Sequence, residues 1–308
     1  MRCLFGTTRW LCYAFAFSLL AAAPRAGAYE VYMGMCFAEQ LSDPSRAKEW
    51  ETVARSIDGV WLNLAGWPKP AESSTTPTLR LIRNNRHGVV PVSVKQYKPE
   101  IVFSDPGVQS AAALEKAGVF DWQIVALNGD AASNALKEPF RAEAVQAARV
   151  KYAGKKIFVN VRVGDFQSAP PERVMELVDA ADGVTFECEP RRFFQKEGSF
   201  DAFANVCRFV KVEKKKPLIW LCPNGGMGEK EAYLDELKQV FAKIKGMNAL
   251  PDIICIIGYG RTHGPLDELP EGEGANYPST LTGATRWILD QRSSLAPMAP
   301  ESKEKENE

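Results

Sequence analysis

The sequence predicts a single-domain (β/α)8 barrel, and three observations predict it. Eight short apolar runs recur along the chain, amphipathic helical patterns lie between them, and the same Asp-Gly junction turns a helix into a strand at two separate places.

The runs are Val31–Phe37, Val60–Ala65, Val89–Val94, Gln123–Asn128, Ile157–Val163, Val184–Cys188, Leu218–Cys222 and Ile253–Ile257. Val, Ile and Phe dominate several of them, as strands require. Near-continuous apolar character suits strands covered on both faces, the condition of a parallel sheet.

The helical patterns follow in order. Asp43 caps a helix with Pro44 at its first position, and Ala47, Trp50, Ala54 and Ile57 form its stripe. Val145, Ala148 and Tyr152 give a weaker stripe. Ser168 caps another helix, whose face holds Val174, Leu177, Val178 and Ala181. Phe203, Val206, Cys207 and Val210 make the next stripe, Leu234, Leu237, Phe241 and Ile244 the one after, and Leu281, Ala284 and Ile288 close the series. The junctions Asp58-Gly59-Val60 and Asp182-Gly183-Val184 share one grammar. An open doubly wound sheet is the competing arrangement, but no G-x-G-x-x-G turn follows the first strand.

The ends are read apart from the barrel. Arg2 and Arg9, an apolar stretch from Trp10 to Ala23 and the small residues Ala26-Gly27-Ala28 form a secretory signal over residues 1–28, cut after Ala28. The stretch is shorter than the roughly 20 residues that span a bilayer. Residues 29–292 form the barrel, and residues 293–308, rich in Pro, Glu and Lys, form a solvated tail. The expected location is therefore secreted or periplasmic, with no membrane attachment once the signal is removed. Lys and Arg total 38 and Asp and Glu total 38, a balance that argues against a nucleic-acid partner. Of the seven cysteines, Cys3 and Cys12 precede the cut. Cys36, Cys188, Cys207, Cys222 and Cys255 follow it, and four of these fall in or beside apolar runs as buried thiols.

In a barrel of this kind, function sits at the carboxyl ends of the strands. Strand side chains alternate, so inward and outward sets separate by phase. Val60, Leu62 and Leu64 face out in the second run, leaving Trp61 and Asn63 inside; Val90, Val92 and Val94 leave Ser93 and Lys95. The fourth run ends in Asn128 and Asp130 on one side. Phe158, Asn160 and Arg162 point in from the fifth, and Thr185, Glu187 and Glu189 from the sixth. The seventh groups Trp220, Cys222 and Asn224, and the eighth runs into Tyr259, Arg261 and His263. Such groups, buried without partners, would cost roughly 1–3 kcal/mol each when neutral and more when charged, so they imply pairing, water or a ligand.

Asp130, Glu187 and Glu189 are the candidate catalytic carboxylates, with a simple Arg162–Glu187 ion pair as the structural alternative. Asn63, Lys95, Asn128, Arg162, Asn224, Tyr259, Arg261 and His263 are the candidate binding residues. Trp61, Trp67, Tyr97, Trp220 and Tyr259 lie at or beyond strands, and flat apolar faces beside amides and Arg suit a saccharide or another polar small molecule. Asn224-Gly225-Gly226-Met227-Gly228 brings backbone N–H groups near a potential anion. The chain contains no H-E-x-x-H, no C-x-x-C and no G-x-S-x-G, and only two histidines, so no metal or cofactor is expected.

At these residues the chain resembles the secreted (β/α)8 glycoside hydrolases, in architecture over the whole globular part. The α-galactosidase-like retaining families carry one carboxylate after strand four and another on strand six. The resemblance implies Asp130 as nucleophile and Glu187 or Glu189 as acid/base, hence a hydrolase of glycosidic bonds. Two other readings stand beside it: a non-catalytic extracellular barrel that binds carbohydrate or another partner, and a lyase or aldolase using Lys95 as a Schiff-base amine.

Overall fold

A computed structural model describes residues 29–35, 53, 56–63, 87–97, 100–118, 120–129, 141–161, 166, 172–224, 232–258 and 281–294. Nine strands appear among them: β1 (Glu30–Met35), β2 (Gly59–Leu62), β3 (His87–Tyr97), β4 (Glu100–Ser104), β5 (Trp122–Gly129), β6 (Lys156–Val161), β7 (Gly183–Glu187), β8 (Leu218–Asn224) and β9 (Ile253–Gly258). Eight of them pair in the order β2-β1-β9-β8-β7-β6-β5-β3, and β2 pairs with β3 to close the ring. Every pairing within the ring is parallel. The predicted closed (β/α)8 barrel is the observed architecture.

Five described helices follow predicted stripes, and those over Pro106–Lys116 and Pro190–Gln195 lie where no stripe is predicted. The helices are α1 (Pro106–Lys116), α2 (Ala142–Lys151), α3 (Glu172–Ala180), α4 (Pro190–Gln195), α5 (Ser199–Cys207), α6 (Tyr233–Gly246) and α7 (Leu281–Ser294), with a π-wound continuation of α5 over Arg208–Glu213. Val174, Leu177 and Val178 are buried on α3, and Leu234, Leu237, Phe241 and Ile244 on α6. Of the Asp43 helix Val53 and the stripe residue Ile57 are described, both buried; Asp43, Pro44, Ala47, Trp50 and Ala54 lie outside the described residues, as does Ser168.

One strand was not expected. β4 is antiparallel to the far half of β3, with Lys95 opposite Val102 and Tyr97 opposite Glu100. The hairpin carries β3 beyond the ring at its carboxyl end. Residues of β4 alternate between exposed and half-buried, a short one-sided strand whose apolar run is only Ile101-Val102-Phe103.

The core divides in two, as strand alternation requires. The outer cluster lies between sheet and helices and includes Val90, Val92, Val125, Val159, Val184 and Phe186. The inner cluster fills the barrel and includes Tyr32, Trp61, Val89, Ala126, Phe158, Leu221 and Cys255. The phase read for β2, β3, β5, β6 and β7 matches this division. That of β8 needs correction. Trp220 and Cys222 belong to the outer cluster, and Ile219 and Leu221 face the axis. Every residue from Leu218 to Cys222 is apolar, so composition could not set the phase. Packing sets it: the Trp220 indole lies against Phe193 and Phe203 and donates its N–H to the Cys188 carbonyl at 3.1 Å.

The Asp-Gly junctions acquire a mechanism. The Asp58 carboxylate accepts the Val31 N–H at 2.8 Å, and the Asp58 N–H donates to the Val31 carbonyl at 2.9 Å. Asp182 makes the same two bonds to Ile157, and Asp252 makes them to Leu218. Each aspartate thus ties the amino end of its own strand to that of the strand before it. Each is also paired with a cation: Arg292, Arg149 and Lys211 respectively. Nearby, the Lys216 ammonium donates to the carbonyls of Val178, Asp179 and Ala181, closing the carboxyl end of α3 where a cation is favoured.

Candidate functional site

At the carboxyl end of the barrel the inward phase continues from apolar to polar residues. Above Ala126 on β5 stands Asn128; above Phe158 on β6 stands Asn160; above Trp61 on β2 stands Asn63. On β7, Thr185 and Glu187 share that phase. On β3, Ser93 and Lys95 follow Val89 at even spacing, and Ser93 is directly opposite Asn128. The site is therefore an amide and hydroxyl layer resting on the aromatic and aliphatic barrel filling.

Its members differ in how they are satisfied. The buried Thr185 hydroxyl lies 3.4 Å from both the Val159 carbonyl and Asn160 Oδ1. Asn63, Lys95 and Glu187 each interact with a neighbour. Asn63 and Lys95 are half-buried and Glu187 is exposed. Asn128 stands apart: its Oδ1 is buried and has no hydrogen-bond partner among the described residues. A buried acceptor left unmade costs about 1–3 kcal/mol. Such groups call for an explanation, and a ligand donor is one.

Glu189 is not part of this layer in the way its spacing suggested. β7 ends at Glu187, and Glu189 becomes the N-cap residue of α4, only 8% exposed. Its charge is felt by Tyr233, whose buried hydroxyl donates to the Cys222 carbonyl. Asp130, Arg162, Tyr259, Arg261 and His263 lie outside the described residues, and so does the side chain of Asn224, the last residue of β8. The expected Arg162–Glu187 pair therefore has one described member.

Thr185 and Asn160 were legible as inward-facing but were not expected among the binding residues. Their mutual contact was the missing signal, since the register sets Asn160 directly opposite Thr185. Among the described residues no three His, Cys, Asp or Glu side chains are grouped to hold a metal, and no helix is long and apolar enough to cross a membrane. Cys188, Cys207, Cys222 and Cys255 are buried; Cys36 lies outside the described residues.

No protein-family model matches the chain, and no curated protein matches it. Solved structures do match. Tryptophan synthase from M. tuberculosis, in an open form, is 12% identical over 88% of this chain and 94% of its own, with a TM-score of 0.42. A tryptophan synthase complex from the hyperthermophile Pyrococcus furiosus is 12% identical over 87% and 98%, with a TM-score of 0.44. A mutant tryptophan synthase α-subunit from that organism is 12% identical over the same shares, with a TM-score of 0.45. A likeness at this level concerns the barrel and not its chemistry. The glycoside hydrolase expectation, with its carbohydrate substrate, is corrected here. The structures that match are tryptophan synthases; of the carboxylates expected to pair, Asp130 with Glu187 or Glu189, Asp130 lies outside the described residues and Glu189 is buried at a helix start.

Proposed function

We propose that the carboxyl mouth of the barrel binds a small polar carbonyl compound and acts on it as a lyase, with Lys95 as the amine. The observation that carries the reading is the unsatisfied Asn128 Oδ1, a buried acceptor in a layer of neutral polar groups. A ligand N–H or O–H would satisfy it, and Asn160 and Thr185 offer further polar contacts alongside. Lys95 stands one inward position beyond Ser93, the partner of Asn128 across the β3–β5 pairing, so its chain ends above the same layer.

The chemistry follows from the residue types. An unprotonated Lys95 amine adds to the ligand carbonyl and expels water, forming a protonated imine. That imine accepts the electron pair released when a neighbouring carbon–carbon bond breaks, and water then restores the free amine. Glu187, in the same inward phase on β7, supplies a carboxylate for the accompanying proton transfers. The reading carries with it a secreted chain cut after Ala28, which Edman sequencing of the exported protein would check by a first residue of Tyr29.

The test is reductive trapping. The protein is incubated with a panel of small 2-oxo acids and hydroxyaldehydes in the presence of cyanoborohydride, and the adduct is located by peptide mass mapping. An adduct on Lys95 that is lost in Lys95→Met and weakened in Asn128→Leu is expected. Saturable binding by calorimetry with no Lys95 adduct from any bound compound would overturn the lyase and leave a binding barrel.

A further inference from the structure

The opposite end of the barrel has its own opening. A cavity of about 420 Å³ lies at the amino ends of the strands, within the roughly 300–1,000 Å³ usual for small-molecule pockets. That end of such a barrel is ordinarily packed and serves stability. Two features of the sequence keep it open.

The first is a polar ring. Glu30, His87 and Lys156 open β1, β3 and β6, each two residues before an inward member of the barrel filling: Tyr32, Val89 and Phe158. All three therefore face the axis, from alternate strands of the ring, and all three line the cavity. The second is a pair of glycines. Gly59 and Gly183 hold the inward positions that open β2 and β7, and the rings of Tyr32 and Phe158 occupy the volume their side chains would take. A Cβ on Gly59 would meet the Tyr32 ring at 2.6 Å, and one on Gly183 the Phe158 ring at 2.4 Å. The cavity floor is thus two aromatic rings flanked by Ile124 and Ile253.

The charges around it are unequal in their commitments. Glu30 accepts the Tyr32 hydroxyl at 3.0 Å. Asp252 accepts the Leu218 N–H and pairs with Lys211 at 3.2 Å. His87 Nδ1 is 3.2 Å from the Gln123 side-chain oxygen, and its ring lies parallel to that of Tyr32. Both carboxylates are engaged. Lys156 is exposed and lines the same cavity as the Tyr32 and Phe158 rings, and its ammonium has no side-chain partner among the described residues.

We propose that this amino-end cavity is a second binding site, separate from the carboxyl mouth, for a small aromatic carboxylate. The ring rests on Tyr32 and Phe158, and the carboxylate pairs with Lys156. The proposal does not rest on the lyase reading, because no residue is common to the two sites.

The experiment titrates the full chain with benzoate, benzamide and inorganic phosphate, following binding by ligand-observed NMR. Lys156→Met, Ile124→Trp and Lys95→Met are run in parallel. Benzoate is expected to saturate in the millimolar range, as a ligand of so few atoms allows. Benzamide should bind about tenfold more weakly or worse, as should benzoate to Lys156→Met, for want of the charge-assisted contact. Ile124→Trp should remove binding by filling the cavity, and Lys95→Met should leave it unchanged. Circular dichroism confirms that each variant is folded. Absence of saturable benzoate binding to the parent protein overturns the proposal. So does binding that Lys156→Met leaves intact, or that Lys95→Met abolishes. Phosphate binding as tightly as benzoate would overturn the role given to the aromatic floor.

Discussion

The Asp182 carboxylate accepts the Ile157 backbone N–H at 2.8 Å, and the Asp182 N–H returns a bond of 2.8 Å to the Ile157 carbonyl. This two-point tie fixes β7 against β6 at their first residues, and Arg149 at 2.7 Å holds the carboxylate in place. Replacing Asp182 with Ala strands the Ile157 N–H and frees Arg149, so a loss of about 1–3 kcal/mol is expected. Asp252→Ala should cost a similar amount, since it makes the same bonds to Leu218. The two sites share no described partner, so the double variant should lose nearly the sum. Urea unfolding of the three proteins checks this. A change below about 0.5 kcal/mol in both singles, the usual range for surface substitutions, would show that the ties are incidental.

Those aspartates also show how far the sequence could be read. The repeated Asp-Gly pair was visible as a junction, but its meaning needed the side-chain bond that only the fold supplies. Barrel closure and the inward phase of β5, β6 and β7 were legible because Val, Ile and Phe alternate there with Asn, Thr and Glu. β8 was misphased because its residues are apolar at successive positions. The β4 strand was missed because its apolar run, Ile101-Val102-Phe103, is only three residues long and Val102 is exposed. At the site, Asn63, Lys95, Asn128 and Glu187 were found by phase, whereas Glu189 was extrapolated past the end of its strand. His87, the first residue of β3, sits at the amino end of the barrel and so lines the second cavity.

Gly183 is fixed by its neighbour rather than by its own backbone. Phe158 Cζ lies 2.4 Å from where a Gly183 Cβ would stand, and the Phe158 ring is buried in the inner cluster. Gly183→Ala should therefore destabilise by about 1–3 kcal/mol, as overpacking does. Phe158→Leu in the same chain removes the clash, so the double variant should be more stable than the sum of the singles predicts, by 0.5 kcal/mol or more on the usual scale of contact coupling. Strict additivity in a thermal or urea double-mutant cycle would count against this packing.

Alkali should unfold the protein before it exposes any reactive thiol. Burial pushes the Cys188 and Cys207 thiols up to about 12, and it raises Cys222 and the hydroxyls of Tyr29, Tyr32, Tyr152 and Tyr233 as well. In the unfolded chain a thiol ionises near 8.5 and a tyrosine near 10. A folded pKa above the unfolded one favours the native state fully below the unfolded value. The advantage is then lost as pH rises through the folded value. Stability should thus hold from pH 7 to about 8.5 and fall continuously above it. Alkylation of the native protein by iodoacetamide at pH 8 should be limited by opening, because a thiol with a pKa near 12 is ionised only about one part in ten thousand. Rapid native labelling of Cys188 or Cys207, or stability that rises from pH 9 to 11, would contradict the assignment.

Asn128 sets a trade between stability and function that can be measured directly. Among the described residues its Oδ1 is buried without a partner, so the residue weakens the native state. Asn128→Leu keeps the branching and heavy-atom count, removes the unmet acceptor and extends the apolar filling upward from Ala126. The variant is expected to be as stable as the parent or more so, by up to about 2 kcal/mol. Binding at the carboxyl mouth should weaken by about tenfold or more, since the contact that a ligand donor would make is gone. Asn128→Asp separates the causes. It restores an acceptor but adds a buried charge, so it should lose stability and keep part of the binding. Thermal unfolding and calorimetry on the three proteins decide the matter. If Asn128→Leu were strongly destabilising, the Asn128 oxygen would already be satisfied in the free protein, and the main support for a ligand at this end of the barrel would fall.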